Sequence, residues 1–148
     1  MEEKRTILLV DDDARDVELV LEALQGCHVP KEVAVARDGA AALDYLYRRG
    51  AFAARPPGLP CVVLLDLKMP RVDGMEVLRQ VKTDPLLAIV PVVMLTSSAQ
   101  ARDIEAAYRL GANAYVVKPV DFDLFVKAIN TIAAFWVQLN QSPVRDEA

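Results

Sequence analysis

Three observations predict an α/β fold with a five-stranded parallel sheet. Short apolar runs alternate along the chain with stretches of helical periodicity. The runs are bounded by turn-forming residues, as strands buried on both faces are. Four of the runs stop at a polar or charged group: Val10 before Asp11, Leu65 before Asp66, Leu95 before Thr96 and Val117 before Lys118. Parallel strands present their carboxyl ends on one edge of the sheet, where ligands bind. Acids, a hydroxyl and a lysine from distant parts of the sequence should therefore meet there.

The elements follow in order. Thr6–Val10 is the first strand, broken by Asp11-Asp12-Asp13. A helix follows over about Ala14–Gln25, with Val17, Val20, Leu21 and Leu24 on one face and Gly26 as its stop. Glu32–Ala36 is a short second strand. Gly39–Arg49 reads as a helix with Ala42, Leu43, Leu46 and Tyr47 inward. A Pro/Gly-rich loop then runs to Pro60. Cys61–Leu65 is the third strand, and the next helix, Gly74–Lys82, is ended by Asp84-Pro85. Val92–Leu95 is the fourth strand. The helix Ala101–Leu110 closes at Gly111, and Ala114–Val117 is the fifth strand. The last helix runs from about Asp121 to Leu139. Residues 1–140 form one domain, and the polar tail 141–148 is expected to be mobile.

Composition narrows the function. The chain has 148 residues, 53% of them hydrophobic, enough for one domain with a substantial core. Its 17 basic and 21 acidic residues give a net charge of −4, which argues against nucleic-acid binding as the main task. Met1-Glu2-Glu3-Lys4-Arg5 has no apolar stretch of a signal peptide, and no apolar run approaches the roughly 18 residues of a membrane span. Cys27 and Cys61 read as free thiols of a reducing, cytoplasmic environment. His28, the single histidine, falls in a connection with no nucleophile marked beside it.

Asp11, Asp12 and Asp66 crowd together if their strands are neighbours. Two like charges ~4 Å apart repel by about 4 kcal/mol at an effective dielectric near 20. Three carboxylates need a cation or raised pKa values. Hard oxygen ligands without Cys or His favour Mg²⁺, or Mn²⁺. Mg²⁺ leaves coordination sites for water and phosphate oxygens, which points to phosphoryl chemistry. Lys118 can neutralise phosphoryl charge, Thr96 can donate to a phosphoryl oxygen, and Asp66 is the candidate nucleophile. Plainer roles stay open at each position. The acids from Asp11 to Asp13 could cap the following helix, Thr96 could be an ordinary strand end, and Lys118 a surface charge.

The segments Ile7-Leu8-Leu9-Val10-Asp11-Asp12-Asp13, Leu64-Leu65-Asp66-Leu67-Lys68-Met69-Pro70 with Asp73-Gly74, Val92-Val93-Met94-Leu95-Thr96-Ser97, and Gly111 through Pro119 occur in order. Together they resemble the receiver domain of two-component response regulators, over roughly Thr6 to Leu139. The resemblance implies a flavodoxin-like fold with strand order 2-1-3-4-5 and helices on both faces. It implies that Asp66 accepts a phosphoryl group from a sensor histidine kinase, and that Asp12 binds Mg²⁺ with Asp11 assisting. It makes the backbone carbonyl of Lys68 a further metal ligand. Lys118 would contact the phosphoryl group, and the Lys118-Pro119 bond would be cis. Thr96 would move toward the phosphoryl oxygen and Tyr115 would turn inward, a two-state switch. A half-buried strand aromatic is the plainer reading of Tyr115. Lys68 departs from the commoner pattern, in which a smaller or uncharged residue stands there, and this puts the aspartyl-phosphate lifetime in doubt.

The loop Arg48–Pro60, the stretch Lys82-Thr83-Asp84-Pro85 and a last helix ending in Phe135-Trp136 are similar to the small regulators that partner phytochrome-type kinases. The short tail leaves no room for an output domain, so the signal is expected to leave by protein contact. On the last helix, Phe122, Phe125, Val126, Ile129, Ile132, Ala133 and Trp136 form one apolar stripe. A second stripe holds Leu124, Ala128, Thr131, Phe135 and Leu139, which suggests a homodimer surface at Leu124, Phe135 and Leu139. Such a protein is not an enzyme in the usual sense, since it catalyses only its own phosphorylation and dephosphorylation. The alternative is a pseudo-receiver, an interaction module that takes no phosphate. A phosphatase of the aspartyl-phosphate type is disfavoured, because Lys68 stands where such enzymes carry a second acid.

Overall fold

In a computed structural model of the chain, residues 5–144 are described. The reading of Met1–Lys4 as no leader lies outside them, as do residues 145–148. Five parallel strands, β1 (Arg5–Val10), β2 (Lys31–Ala36), β3 (Val62–Leu65), β4 (Val92–Thr96) and β5 (Ala114–Val117), form one sheet in the order β2-β1-β3-β4-β5. Helices α1 (Ala14–Gln25), α2 (Gly39–Tyr47), α3 (Gly74–Thr83), α4 (Ala101–Arg109) and α5 (Phe122–Ala133) connect and follow them. The expected fold class and strand order are borne out, and element ends shift by one or two residues, as ends do.

The two faces of the sheet are separated by the period-two alternation of side chains. Leu8, Val10, Val63, Leu65, Val92 and Met94 face α2, α3 and α4. Ile7, Leu9, Val62, Leu64, Val93 and Leu95 face α1 and α5. Ile7–Val10, Val62–Leu65 and Val92–Leu95 are apolar at every position because both faces are covered. Burying one such side chain contributes about 1.5–3 kcal/mol, so slipping a central strand by one residue gains little and misplaces its terminal polar group.

The last helix differs from its sequence reading. After Ala133 the chain widens into π-helical turns over Ala134–Leu139. The wider turns shift the inward position, so Val137 is buried and Trp136 only partly. Phe122, expected in the core, is 54% exposed. It is the first residue of α5, right after the cap Asp121, and borders an open groove with Val117 and Lys118. Phe122–Leu139 is also a helical stretch of 18 residues, long and apolar enough to span a membrane by length and composition. This corrects the reading that no run reaches that length. The stretch carries Asp123 and Lys127 and turns Phe125, Ile129, Ile132, Ala133 and Val137 onto the core shared with α1. Of the tail, Val144 packs against the α2–α3 side of the core.

The Pro/Gly loop is pinned by Arg55, and Arg48 holds the Arg55 carbonyl from Nε and Nη2 at 3.2 and 3.0 Å. Arg55 donates from Nε to the Tyr45 carbonyl at 2.7 Å and from Nη1 to those of Pro56 and Gly58 at 2.8 and 2.9 Å. Its guanidinium lies 4.1 Å from the Tyr45 ring centroid.

Candidate functional site

Strand register brings the candidate residues together. Val10 pairs with both Ala36 and Leu65, so the next residues, Asp11 and Asp66, leave adjacent strands side by side. The Asp66 N–H donates to the Val10 carbonyl at 3.0 Å. On the far side, Thr96 pairs with Val117, and the Lys118 N–H donates to the Thr96 carbonyl at 2.8 Å. All four groups stand on the carboxyl edge of the sheet, as the ends of the apolar runs required.

Carboxylate oxygens of Asp11, Asp12 and Asp66 lie within 4.8 Å of one another. Asp11 is buried at 2% exposure, Asp66 is half-buried and Asp12 is exposed. Asp11 and Asp66 each have a local constraint. Asp11 Oδ1 accepts from the Asp13 N–H at 2.9 Å, and Asp66 Oδ1 accepts from the Leu67 N–H at 2.8 Å. Asp13 is the helix cap, accepting from the Arg15 and Asp16 N–H groups at 2.9 and 3.1 Å. Capping is thus the work of the third acid, and Asp11 and Asp12 are left to the cluster.

Burial, first, pushes the Asp66 carboxyl above the usual carboxylate range, and the Asp11 charge adds to the effect. Lys118, the Thr96 hydroxyl and the Leu67 N–H act against it. The cluster is an all-oxygen donor set with excess negative charge, which fits a hard divalent cation.

Lys118 is buried beneath the cluster, its side chain 8% exposed. Its Nζ donates to Asp11 Oδ2 at 2.7 Å and to Asp16 Oδ2 at 2.8 Å. Burial acts to lower its hold on the proton, but the bonds to Asp11 and Asp16 outweigh burial, and the ammonium is held above its ordinary range. Sequence reading missed Asp16. It sits in the first turn of α1, where an acid reads as ordinary complement to the helix dipole, and no local pattern links it to a lysine 102 positions away.

On the β4 side, an open groove of about 440 Å³ is lined by Asp66, Lys68, Thr96 and residues 97–100. Thr96 is 3% exposed. The Tyr115 hydroxyl donates to the Ser98 carbonyl at 2.9 Å, tying β5 to this loop, and the Ser98 hydroxyl bonds Asp103 at 2.6 Å. The Lys118-Pro119 bond is trans, since the described residues contain no cis peptide. This corrects the expectation of a cis bond. The trans form is intrinsically favoured by about 0.5–1 kcal/mol, and here Lys118 makes its backbone and side-chain bonds with it.

The opposite wall is the β3–α3 loop, which carries Lys68, an exposed residue. Gly74 closes this loop, its N–H donating to the Leu67 carbonyl at 2.8 Å. Beside it, Arg71 adopts φ +70° and its guanidinium pairs with Asp38 at 3.3 Å.

Residues 7–130 match the family model described as the response regulator receiver domain. The chain is 37% identical to the response regulator Rcp1 of Synechocystis over 90% of each chain. The Mn²⁺-bound crystal structure of Rcp1 superposes with a TM-score of 0.87, covering 94% of this chain and 99% of that one. The phosphorylated cyanobacterial phytochrome response regulator RcpA superposes at 0.89, with 37% identity over 95% of this chain and 99% of that one. The bacteriophytochrome response regulator AtBRR is 55% identical over 95% of this chain and 100% of that one, with a TM-score of 0.76. On sequence and fold together, the chain belongs to the response regulator receiver domain family.

Proposed function

We propose that this chain is a phosphoacceptor receiver serving a phytochrome-type sensor histidine kinase. The carrying observation is the meeting of Asp11, Asp12 and Asp66 within 4.8 Å, with the Lys118 ammonium bonded to the same cluster. An Asp66 carboxylate oxygen attacks the phosphorus of a phosphohistidine; the new P–O bond forms as the P–N bond breaks, and the imidazole leaves. Asp11, Asp12, Asp66 and the Lys68 carbonyl would hold Mg²⁺. When bound, the cation neutralises charge on the carboxylates and on the phosphoryl oxygens. Lys118 orients its ammonium toward the same oxygens, and Thr96 supplies a hydroxyl to one of them. Tyr115 follows Thr96 as the groove changes shape, which carries the signal toward α4 and β5. The kinase assignment rests on likeness to regulators described as phytochrome-associated.

The output surface is proposed on α5 and the π-helical turns that follow it. Leu124, Phe135 and Leu139 are 55%, 43% and 72% exposed, and Phe135 meets Trp136 edge-on at 4.9 Å. A second copy of the chain would cover them as a homodimer.

Both parts are tested by adding Mg²⁺ and beryllofluoride, an acyl-phosphate mimic, to the full chain. Trp136 fluorescence and mass by light scattering are recorded. Mg²⁺-dependent binding is expected, with wild-type protein at twice the mass of the Phe135→Glu variant. Folded protein that binds nothing would indicate a phosphorylation-independent interaction module, and equal masses at monomer size would remove the dimer.

A further inference from the structure

The two carboxylates that hold Lys118 are not equivalent. Asp11 is 2% exposed and Asp16 27%. Lys118 acts on Asp66 only through space, so the ammonium points at two partners of which neither is the proposed acceptor. Turning it toward a new anion on Asp66 requires it to give up a bond. Leaving Asp11 strands a buried charge unless a cation in the cluster takes the ammonium's place there. Leaving Asp16 costs far less, because Asp16 borders an open groove of about 520 Å³ shared with Arg15, Leu19, Val120 and Phe122, where water replaces the lost partner. The Asp13 cap fixes the Asp16 backbone through its N–H at 3.1 Å, which limits the carboxylate to what its own side-chain rotation reaches.

Resting on the phosphoacceptor reading above, we propose that Asp16 is a positioning residue that holds Lys118 in the unphosphorylated state and yields it when Asp66 is modified. A group that stabilises only the unmodified state opposes the modified one by the same free energy. Asp16 therefore sets the threshold of the switch without touching the reacting atoms. The trade also breaks the ion pair between α1 and the β5–α5 connection. That links chemistry at the sheet edge to the α1 surface through one hydrogen bond.

The test is a ¹⁹F NMR titration of the full chain with beryllofluoride at fixed Mg²⁺, in wild type, Asp16→Asn, Asp16→Glu, Lys118→Ala and the Asp16→Asn/Lys118→Ala double variant. Asp16→Asn should bind roughly tenfold tighter, the change expected when one charge-assisted bond of the resting state is lost. Asp16→Glu, which keeps the charge, should stay near wild type. The gain should vanish in the Lys118→Ala background, since the cycle isolates the coupling between the two residues. An Asp16→Asn affinity within about twofold of wild type would overturn the proposal. So would a gain that persists without Lys118, which would make Asp16 a source of general negative potential. The ¹H–¹⁵N signal of the Lys118 ammonium supplies a second readout. It should shift in Asp16→Asn and, on loading, in wild type; an unmoved signal in both would also overturn the assignment. A wild type with no bound fluoride resonance would instead indict the phosphoacceptor reading, and this proposal would fall with it.

Discussion

Replacing Asp66 by asparagine should abolish hydroxylamine-labile labelling by a phosphorylated kinase and, at the same time, stabilise the metal-free protein. The first effect follows from the nucleophile: an amide offers no anionic oxygen, and Asp11 is committed to Lys118 at 2.7 Å. The loss should exceed a hundredfold, roughly 3 kcal/mol or more in transition-state terms. The second effect follows from electrostatics. Burial and the Asp11 charge raise the Asp66 pKa, so the native state binds this proton more readily than the unfolded chain does. Stability therefore falls as pH rises through the carboxylate range. Removing the charge should return about 1 kcal/mol after allowance for solvent screening. Mg²⁺ should narrow or reverse that difference, since a ligand at a hundred times its dissociation constant adds about 2.7 kcal/mol to the form that binds it. Urea unfolding with and without Mg²⁺ measures both signs. Undiminished labelling would place the acceptor elsewhere, and a less stable metal-free Asp66→Asn would contradict the electrostatic account.

Replacing Gly74 by alanine should cost about 3 kcal/mol of stability and weaken Mg²⁺-dependent beryllofluoride capture together. A Cβ at this position would lie 2.0 Å from the Asp66 carbonyl oxygen and 2.9 Å from both the Leu67 Cα and its carbonyl oxygen. These obstacles are backbone, so no rotamer change relieves the clash. What must move is the chain of Asp66 and Leu67, which places the acceptor carboxylate. Gly26→Ala is the comparison, because there the nearest atom is a carbonyl 3.8 Å away and the change should be close to neutral. The check is a pair of denaturation curves, with beryllofluoride titrations on the same samples. A Gly74→Ala midpoint equal to wild type would show that the loop adapts.

Much of this was legible from residues alone. The runs ending at Asp11, Asp66, Thr96 and Lys118 announced both the strands and the edge on which they would meet, because a strand buried on both faces tolerates a charge only where it ends. The acid triplet could be read as cap or cluster, and the fold divides it: Asp13 caps α1, while Asp11 and Asp12 join Asp66. Helical periodicity placed Phe125, Ile129 and Ile132 correctly. It failed at Phe122, which precedes the packed stretch, and at Tyr47, which is exposed; Trp136 packs on the core but is only partly buried, where π turns change the residue spacing that the pattern assumes. The trans bond before Pro119 was also out of reach, since it depends on how the β5–α5 connection leaves the sheet.

By itself the sequence determined the five strands, their helices and the chemical groups at the carboxyl edge. Those follow from local alternation of apolar and polar residues, which each segment carries within its own few positions. Only the tertiary structure decided which groups touch. Asp16 and Lys118 are 102 residues apart and meet at 2.8 Å because α1 packs beside α5 across one face of the sheet. The unequal burial of Asp11 and Asp16 likewise arises from that packing, and burial decides which partner a lysine can release.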